Sequence, residues 1–451
     1  MGFKLDDTIA ALATPPGRGA VAIIRLSGSR AREIGEQLTG HVPEARRAHL
    51  CEFRDETGDP VDRGLLLYFP GPRSFTGEDV VELHGHGGMV ISDMLLGSAL
   101  RLGARAAEPG EFTLRAFLND KLDLTQAEGI ADLVDSGSRE AARAAYRSLE
   151  GRFSEQVHGL QANLTALRVQ LEAWLDFPDE ELELDDTTEF VQGFDAAIEE
   201  LETLLSQARE GAVLSNGLTV VIAGPPNAGK SSLMNRLSGY DAAIVTDIPG
   251  TTRDALREHL SLDGLPVTVI DTAGLRDSVN PVELEGMRRA HRAVEGADRL
   301  IWVTETQGEI TSQLAEIREV AGEDTAVTVV QNKIDLTADE PSRFDDDGVT
   351  VIRLSALTGQ GIELLIEHLK AIAGYRSGTA GTFSARARHI DALERGADHI
   401  RDGRLKLVDT PALELAAEEL RAAQAALSEV TGELTSDDLL GEIFSSFCIG
   451  K

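Results

Sequence analysis

The chain has 451 residues, of which 42% are hydrophobic and 26% charged, the usage of an ordinary globular protein; 76 acidic against 43 basic side chains give a formal net charge of −33. That length exceeds what a single hydrophobic core organises, so two or three domains are expected. No apolar run approaches the roughly 18 residues of a membrane helix, and the acidic balance repels nucleic-acid phosphates unless bases cluster locally or a partner supplies them. The opening MGFKLDDTIAALATPPGRG sets acids beside Lys4 and lacks a long apolar core, so it does not read as a secretory signal and cytoplasmic residence is expected. Cys51 and Cys448 match no metal-ligand or redox spacing, so neither a disulfide framework nor a zinc site is indicated.

Residues 6–119 mix strand-like runs (AVAIIRL, DVVELHG) with helical stretches, among them Met89–Leu102 stopped by Gly103, and predict an α+β domain. From Leu122 to about Glu210 the apolar residues recur at three- and four-residue spacing in Ala, Leu, Glu and Arg-rich segments, which predicts helices. The acidic, proline-containing stretch 176–186 reads as a solvated turn between them. Residues 218–376 alternate strand runs (LTVVIAG, PVTVIDTAG, RLIWVT, AVTVVQNK, VTVIRLSA) with helical stretches, the pattern of a mostly parallel sheet covered by helices. After Gly374 the stretch SGTAGT reads as a flexible link, and 384–447 returns to helices. The expected plan is an α+β domain over 1–119, a helical domain in two parts over 120–214 and 377–451, and an α/β domain over 215–376 inserted between those parts.

The strand LTVVIAG runs into GPPNAGKSS, 224–232, a phosphate-loop pattern between a strand and a helix. Glycines there let backbone N–H groups of Asn227, Ala228, Gly229 and their neighbours face phosphate oxygens. Lys230 reaches the β and γ phosphates, Ser231 offers a hydroxyl to Mg²⁺, and Ser232 continues the helix start. Three further patterns follow in the order such a site requires. In TDIPGTTRD (Thr246, Asp247, Ile248, Pro249, Gly250, Thr251, Thr252), Thr252 is the expected second Mg²⁺ hydroxyl. In DTAG (Asp271, Thr272, Ala273, Gly274), Asp271 holds the hydration shell of the metal and Gly274 N–H meets the γ-phosphate. In NKID (Asn332, Lys333, Asp335), the Asp335 carboxylate accepts from N1–H and the 2-amino group of guanine, donors adenine lacks, so the pattern selects GTP over ATP. Ser355, Ala356 and Leu357, in RLSALTG, are expected to complete the base pocket.

Binding does not by itself establish hydrolysis. The position after Gly274, where many GTPases place a water-orienting Gln, is Leu275, and an apolar side chain cannot order water. Two readings stay open from the residues alone: a slow binding switch, or a site in which another polar group and another positive charge act. Glu283 and Arg276, in the loop that follows, are the candidates.

The set GPPNAGKSS, TDIPGTTRD, DTAGLRD and NKID occurs together with PPGRGAVAIIRLSG, FTGEDVVELHGHGG, RAFLNDKLDL and a terminal FCIGK. In combination, over nearly the whole chain, it resembles the MnmE (TrmE) family of tRNA-modification GTPases. The resemblance implies a Ras-like P-loop GTPase domain inserted in a discontinuous helical domain, behind a folate-binding-like α+β domain that also holds a homodimer together. It implies a flavoprotein partner, MnmG (GidA), which carries FAD, in a heterotetrameric or larger complex that also supplies the tRNA surface. The implied reaction installs carboxymethylaminomethyl or aminomethyl groups at carbon 5 of the wobble uridine of certain tRNAs. The one-carbon unit comes from a folate, 5-formyltetrahydrofolate or methylenetetrahydrofolate.

Residue by residue, the resemblance puts a K⁺ ion on Asn227, with Thr246, Ile248 and Thr251 completing its shell when two GTPase domains meet, and the catalytic glutamate on Glu283 beside the catalytic Lys230. Folate contacts fall on Arg25, Glu82, Lys121 and Lys451, and Cys448 belongs to a tail needed for tRNA modification but not for GTP hydrolysis. His84 and His86 share a strand face, but a third metal ligand is not visible and no metal is assigned. The competing reading is a regulatory GTPase switch that recruits a partner such as a ribosome-assembly factor; folate binding separates the two. If Glu283 orders the attacking water, Glu283→Ala leaves GTP affinity intact and slows single-turnover hydrolysis by about a hundredfold or more; unchanged turnover removes it from the mechanism.

Overall fold

The computed structural model describes residues 6–176, 185–240, 257–271, 296–305, 313, 317–318, 320–322, 325–337, 339–346, 348–375, 382–408, 412–433 and 437–450. The chain forms two compact units, Met1–Ala131 with Arg421–Lys451, and Asp132–Leu420.

The first unit is built on a six-stranded sheet of β1 (Ile9–Leu12), β2 (Val21–Ser27), β3 (His49–Arg54), β4 (Pro60–Phe69), β5 (Val80–His86) and β6 (Arg105–Ala106), in the order β3-β4-β5-β2-β1-β6. All neighbours are antiparallel except β1 and β6. Alternation along the strands decides what covers the sheet: Ile24 and Leu26 of β2 and Val81 and Leu83 of β5 are buried against Ile34 and Leu38 of α1 (Ala31–Thr39) and Leu95 and Ala99 of α2 (Met89–Arg101). The period of two puts Arg25 and Glu82 on the opposite face, directly paired in the β2–β5 register. Helix α2 ends one residue before the expected Leu102, which caps it, and Gly103 follows at φ +106. A second cluster joins Leu114 of α3 (Glu111–Leu118), Leu124 and Ala127 of α4 (Leu124–Asp135), and Leu440, Phe444 and Phe447 of and after the helix Asp437–Ser445.

Arg115 of α3 is fully buried and holds three carboxylates: Asp7 Oδ1 at 2.6 Å, Glu111 Oε1 at 3.0 Å and Glu78 Oε1 at 3.1 Å. Arg105 pairs with Asp7 and Glu111 as well. The Arg105 hydrogen bond, with Arg115, holds the Asp7 carboxyl below its ordinary range. At Glu111 burial works upward and is outweighed by Arg105, the Glu108 N–H and Arg115, so that carboxyl is also lowered.

The second unit carries α5 (Arg139–Leu149), α6 (Arg152–Asp176) and α7 (Asp185–Asn216) ahead of a seven-stranded sheet. Its strands are β7 (Leu218–Ala223), β8 (Arg257–Leu262), β9 (Leu265–Asp271), β10 (Arg299–Glu305), β11 (Val327–Asn332), β12 (Ser342–Asp346) and β13 (Val349–Arg353), in the order β12-β13-β11-β10-β7-β9-β8. The five inner strands are parallel, and the edge strands β8 and β12 run antiparallel to their neighbours. Strands buried on both faces read as continuous apolar runs, which is why VTVVQN and LIWV dominate the centre. Around the sheet lie α8 (Lys230–Ser238), the short α9 (Ile334–Thr337) and α10 (Ile362–Ile372), while α11 (Ala387–Val408) packs along α7. One core holds Val220, Val267 and Leu365 together with Ala141, Ala144 and Leu214 from α5 and α7, so those helices are built onto the sheet. The acidic stretch expected as a turn at 176–186 lies mostly outside the described residues.

The buried cation of the first unit yields a prediction with a pH signature. Arg115→Met leaves Glu78 without its buried cation and Asp7 and Glu111 with Arg105 alone, and costs about 3–5 kcal/mol at neutral pH. The depressed carboxyls contribute stability above their unfolded values near pH 4 and lose it as pH falls through the folded ones, so the wild-type advantage narrows in acid. Urea titrations of both proteins at pH 7 and in a series down to about pH 2.5 check this; a difference that stays constant over the series sinks it.

Candidate functional site

The phosphate loop follows β7 directly. Gly224 sits at φ +139, where a Cβ would come 2.1 Å from Val303 O, and Gly229 at φ +96, where a Cβ would come 2.2 Å from Asn332 Nδ2. Both positions require glycine on conformation and on space. Between them Asn227 takes a left-handed φ of +62, which asparagine tolerates better than other side chains. Gly229 caps α8, so the loop ends in the N-terminal N–H groups of a helix, a ready anion cradle. Lys230, buried in the first turn, donates from Nζ to Gly224 O (3.0 Å) and Pro225 O (2.8 Å), which lays its ammonium across the loop. Ser231 and Ser232 beside it are exposed, and Ala228 is buried beneath.

Asn332, the last residue of β11, is buried and joins three segments through one amide. Nδ2 donates to Ala228 O of the phosphate loop at 2.8 Å, and Oδ1 accepts from Lys333 N at 2.8 Å and from Ala356 N at 2.9 Å. The two base-edge segments are thereby tied to the phosphate loop. Ser355 Oγ accepts from Thr358 N and donates to Asp335 Oδ1, fixing one carboxylate oxygen and leaving the other for a ligand. Beyond the place in the base pocket expected of it, Ser355 thus orients the Asp335 carboxylate through its hydroxyl. Lys333 adopts φ +70 and pairs with Glu305, while Leu357 is exposed. Arg236 of α8 holds the same loop from outside, donating to Ala356 O at 3.1 Å and to Leu357 O. Nothing in the local pattern around Arg236 announces this, because its partners lie about 120 residues away.

Asp271 ends β9 opposite Ile222 in the parallel register, which brings Asp271 beside the end of the strand that enters the phosphate loop. Thr246, Asp247, Ile248, Pro249, Gly250, Thr251, Thr252, Thr272, Ala273, Gly274, Glu283 and Lys451 lie outside the described residues.

In the first unit, Arg25 Nε donates to Glu82 Oε1 at 2.9 Å and Arg25 Nη1 to Gly450 O at 3.3 Å, so the terminal segment reaches the open face of the sheet. The Arg25 guanidinium lies 5.7 Å from the ring centres of Phe75 and Phe112. Lys121 is exposed and its methylenes run beside Gly77. Cys448 is a free, exposed thiol whose carbonyl accepts from Gly110 N. Among the described residues no group of three metal-ligating side chains forms, His84 and His86 included, and no helix is long and apolar enough to cross a membrane.

A parallel sheet, a phosphate loop capped by a helix and two base-edge loops joined through one asparagine define a P-loop domain of the GTPase class. The family model described as the MnmE helical domain matches residues 124–448, and that described as the GTP-binding protein TrmE N-terminus matches residues 8–121. The chain is 53% identical to the tRNA modification GTPase MnmE of Stutzerimonas stutzeri over 99% of each chain, and 51% identical to that of Nitrosococcus oceani over 99% of this chain and 98% of the relative. The chain belongs to the MnmE family of tRNA modification GTPases. Among solved structures, it is similar to the G domain of the T. maritima FeoB iron transporter (27% identity, 35% of this chain and 98% of that one, TM-score 0.27). It is also similar to a GTP-binding protein of Sulfolobus solfataricus in complex with GDP (19% identity, 48% and 67%, TM-score 0.27).

Replacing Asn332 by Ala leaves Ala228 O, Lys333 N and Ala356 N without the amide that joins them. Fluorescent GDP titration is expected to show affinity weakened by about ten- to a hundredfold, with guanine selectivity reduced as well. Wild-type affinity in this variant would refute the role of the amide.

Proposed function

We propose that this chain is a GTP-hydrolysing tRNA modification enzyme. As a cytoplasmic homodimer, it acts with the flavoprotein MnmG (GidA) to add carboxymethylaminomethyl or aminomethyl groups at carbon 5 of the wobble uridine. Membership of the family supports the GTPase and tRNA-modification parts. The observation that carries the nucleotide part is the Asn332 amide, which ties the phosphate loop to the Asp335 and Ser355 loops in one rigid site.

In this reading Asp335 accepts the donor edge of guanine, held at the right angle by Ser355, while Ala356 and Leu357 close the pocket. Loop N–H groups and Lys230 bind the phosphates; the glycine positions of that loop, where a Cβ would collide, fit a phosphate group at backbone distance. Ser231 and Thr252 would hold Mg²⁺, and Asn227 with Thr246, Ile248 and Thr251 would hold K⁺; the exposed Ser231 at the start of α8 and the left-handed Asn227 suit those tasks. When bound, the two cations neutralise charge that develops on the phosphate oxygens. Glu283 orients the attacking water and takes its proton as the new oxygen–phosphorus bond forms; the bond to the β–γ bridging oxygen breaks, and GDP leaves with the electron pair.

Arg25, Glu82, Lys121 and Lys451 hold the folate that supplies the one-carbon unit, and FAD sits on the partner. The Arg25–Glu82 pair beside Phe75 suits a flat, polar-edged ring, and Cys448 stands exposed on the tail whose Gly450 carbonyl reaches Arg25. The high net negative charge supports shared recognition of tRNA, since the partner must contribute much of the positive surface.

Steady-state GTP hydrolysis, measured at matched ionic strength with K⁺ or Na⁺ as the only monovalent cation and at rising protein concentration, tests the reading. Strong stimulation by K⁺, steeper at higher concentration and abolished in Asn227→Ala, is the expected result. Equal slow turnover in both salts removes the cation-assisted, dimer-activated mechanism and favours a plain switch.

A further inference from the structure

Glu82 serves two partners. Its Oε1 accepts from Arg25 Nε at 2.9 Å, and its Oε2 pairs with His84 Nε2 at 3.0 Å. An ionised carboxylate only accepts, so the imidazole is the donor and its Nε2 carries the proton. Glu82 and His84 lie two residues apart on β5 and therefore share the open face of the sheet, with Arg25 across from Glu82 on β2. The carboxylate side chain is 15% exposed and that of His84 26%, so the pair is neither sealed in the core nor freely rotating in water.

Two donors, one on each oxygen, fix the plane of a carboxylate. Each oxygen retains a further acceptor direction in the plane of the carboxylate. Such a pair matches a planar edge that presents two adjacent N–H donors, as the 2-amino-4-oxopyrimidine ring of a pterin does. Without His84 the carboxylate is restrained at one oxygen only and turns about its terminal torsion, a broad and shallow one.

The geometry points to His84 as a positioning residue that sets the Glu82 carboxylate for the two-donor edge of a pterin, and so as a determinant of ligand specificity in the first unit. The inference rests on the folate reading above and adds to it a residue which that reading does not use. Because the effect passes through the orientation of one carboxylate, its signature is selective: the preference for a ligand with the 2-amino donor over one without it falls together with affinity. A side chain that only stabilised the sheet would weaken both ligands alike.

Calorimetric titration of the full chain with 5-formyltetrahydrofolate and with its 2-desamino analogue tests this, in wild type, His84→Ala, His84→Gln and Glu82→Gln. The wild type is expected to prefer the amino ligand by about a hundredfold, the weight of one hydrogen bond to a charged acceptor. His84→Ala loses about tenfold in affinity for the amino ligand and most of the preference. His84→Gln, whose amide nitrogen falls near the position of Nε2, restores both. Thermal unfolding midpoints within a degree or two of wild type confirm that the variants are folded. Wild-type preference retained in His84→Ala while Glu82→Gln loses it overturns the role of His84 and leaves the folate reading standing. A wild type that binds neither ligand overturns the folate reading itself and the inference with it.

Discussion

The nucleotide site depends on the side-chain amide of Asn332. A buried amide is costly unless its donors and acceptor are used, and here one donor and both acceptor directions are spent on backbone groups of three different segments. Each bond is modest alone. Together they remove the independent motion of the phosphate loop, the Asp335 turn and the Ala356 loop, which is what a ligand touching all three needs in order to bind without ordering them first. Gly229 is part of the same constraint, since a side chain there would occupy the space of the Asn332 amide. Arg236 reinforces the arrangement from the solvent side by holding Ala356 and Leu357 to α8, the helix that the phosphate loop begins.

The sheet that carries this site is joined to helices by covalent continuity and by a common core. Helix α7 passes through Gly217 straight into β7, and the strand then delivers the phosphate loop. On the neighbouring strand, the β8–β9 turn at Asp263–Gly264 is held by Lys370, whose Nζ lies 3.1 Å from the Asp263 carboxylate, and by Tyr375, whose hydroxyl donates to Asp263 O. The other end of β9 is Asp271, where the DTAG segment begins. Close-packed strands transmit displacement better than they absorb it. A shift at Asp271 therefore has a short and stiff route, seven residues long, to the contacts made by α10 and by Tyr375.

Much of this was legible in the sequence, and the exceptions have a common cause. The inner strands announce themselves because burial on both faces favours nearly continuous apolar runs, as in β7, β10 and β11. The edge strands β8 (REHLSL) and β12 (SRFDD) are polar because one side meets solvent, and periodicity alone does not separate such sequences from loops. The phosphate loop was readable because its geometry is local: nine consecutive residues contain the glycines, the lysine and the serines. The roles of Asn332 and Arg236 were not, since each rests on a partner brought near by tertiary structure, and the place of His84 beside the Arg25–Glu82 pair depends on the β2–β5 register. Only the NKID pattern marked Asn332 at all. The pairing of Arg25 with Glu82 follows from the β2–β5 register, and spacing in the sequence carries no trace of that register.

Under the proposed function, two carboxylates in this chain would face the same kind of chemical edge. Guanine presents N1–H beside its 2-amino group, and a pterin presents N3–H beside its own; both are 2-amino-4-oxopyrimidine edges. Asp335 is oriented by a neutral hydroxyl, Ser355, on a turn between elements, whereas Glu82 is oriented by a guanidinium and an imidazole on the face of a sheet. The difference has consequences for selectivity between the two ligands. A cation at Oε1 of Glu82 lowers the acceptor strength left for a ligand, so a pterin pocket there would rely more on shape and on the Phe75 and Phe112 rings that flank Arg25. A neutral donor at Asp335 leaves the full carboxylate charge to the base, and the phosphate loop supplies the remaining affinity through contacts that a folate, lacking a triphosphate, cannot make. Each proposed pocket would thereby reject the other ligand by what surrounds the shared edge.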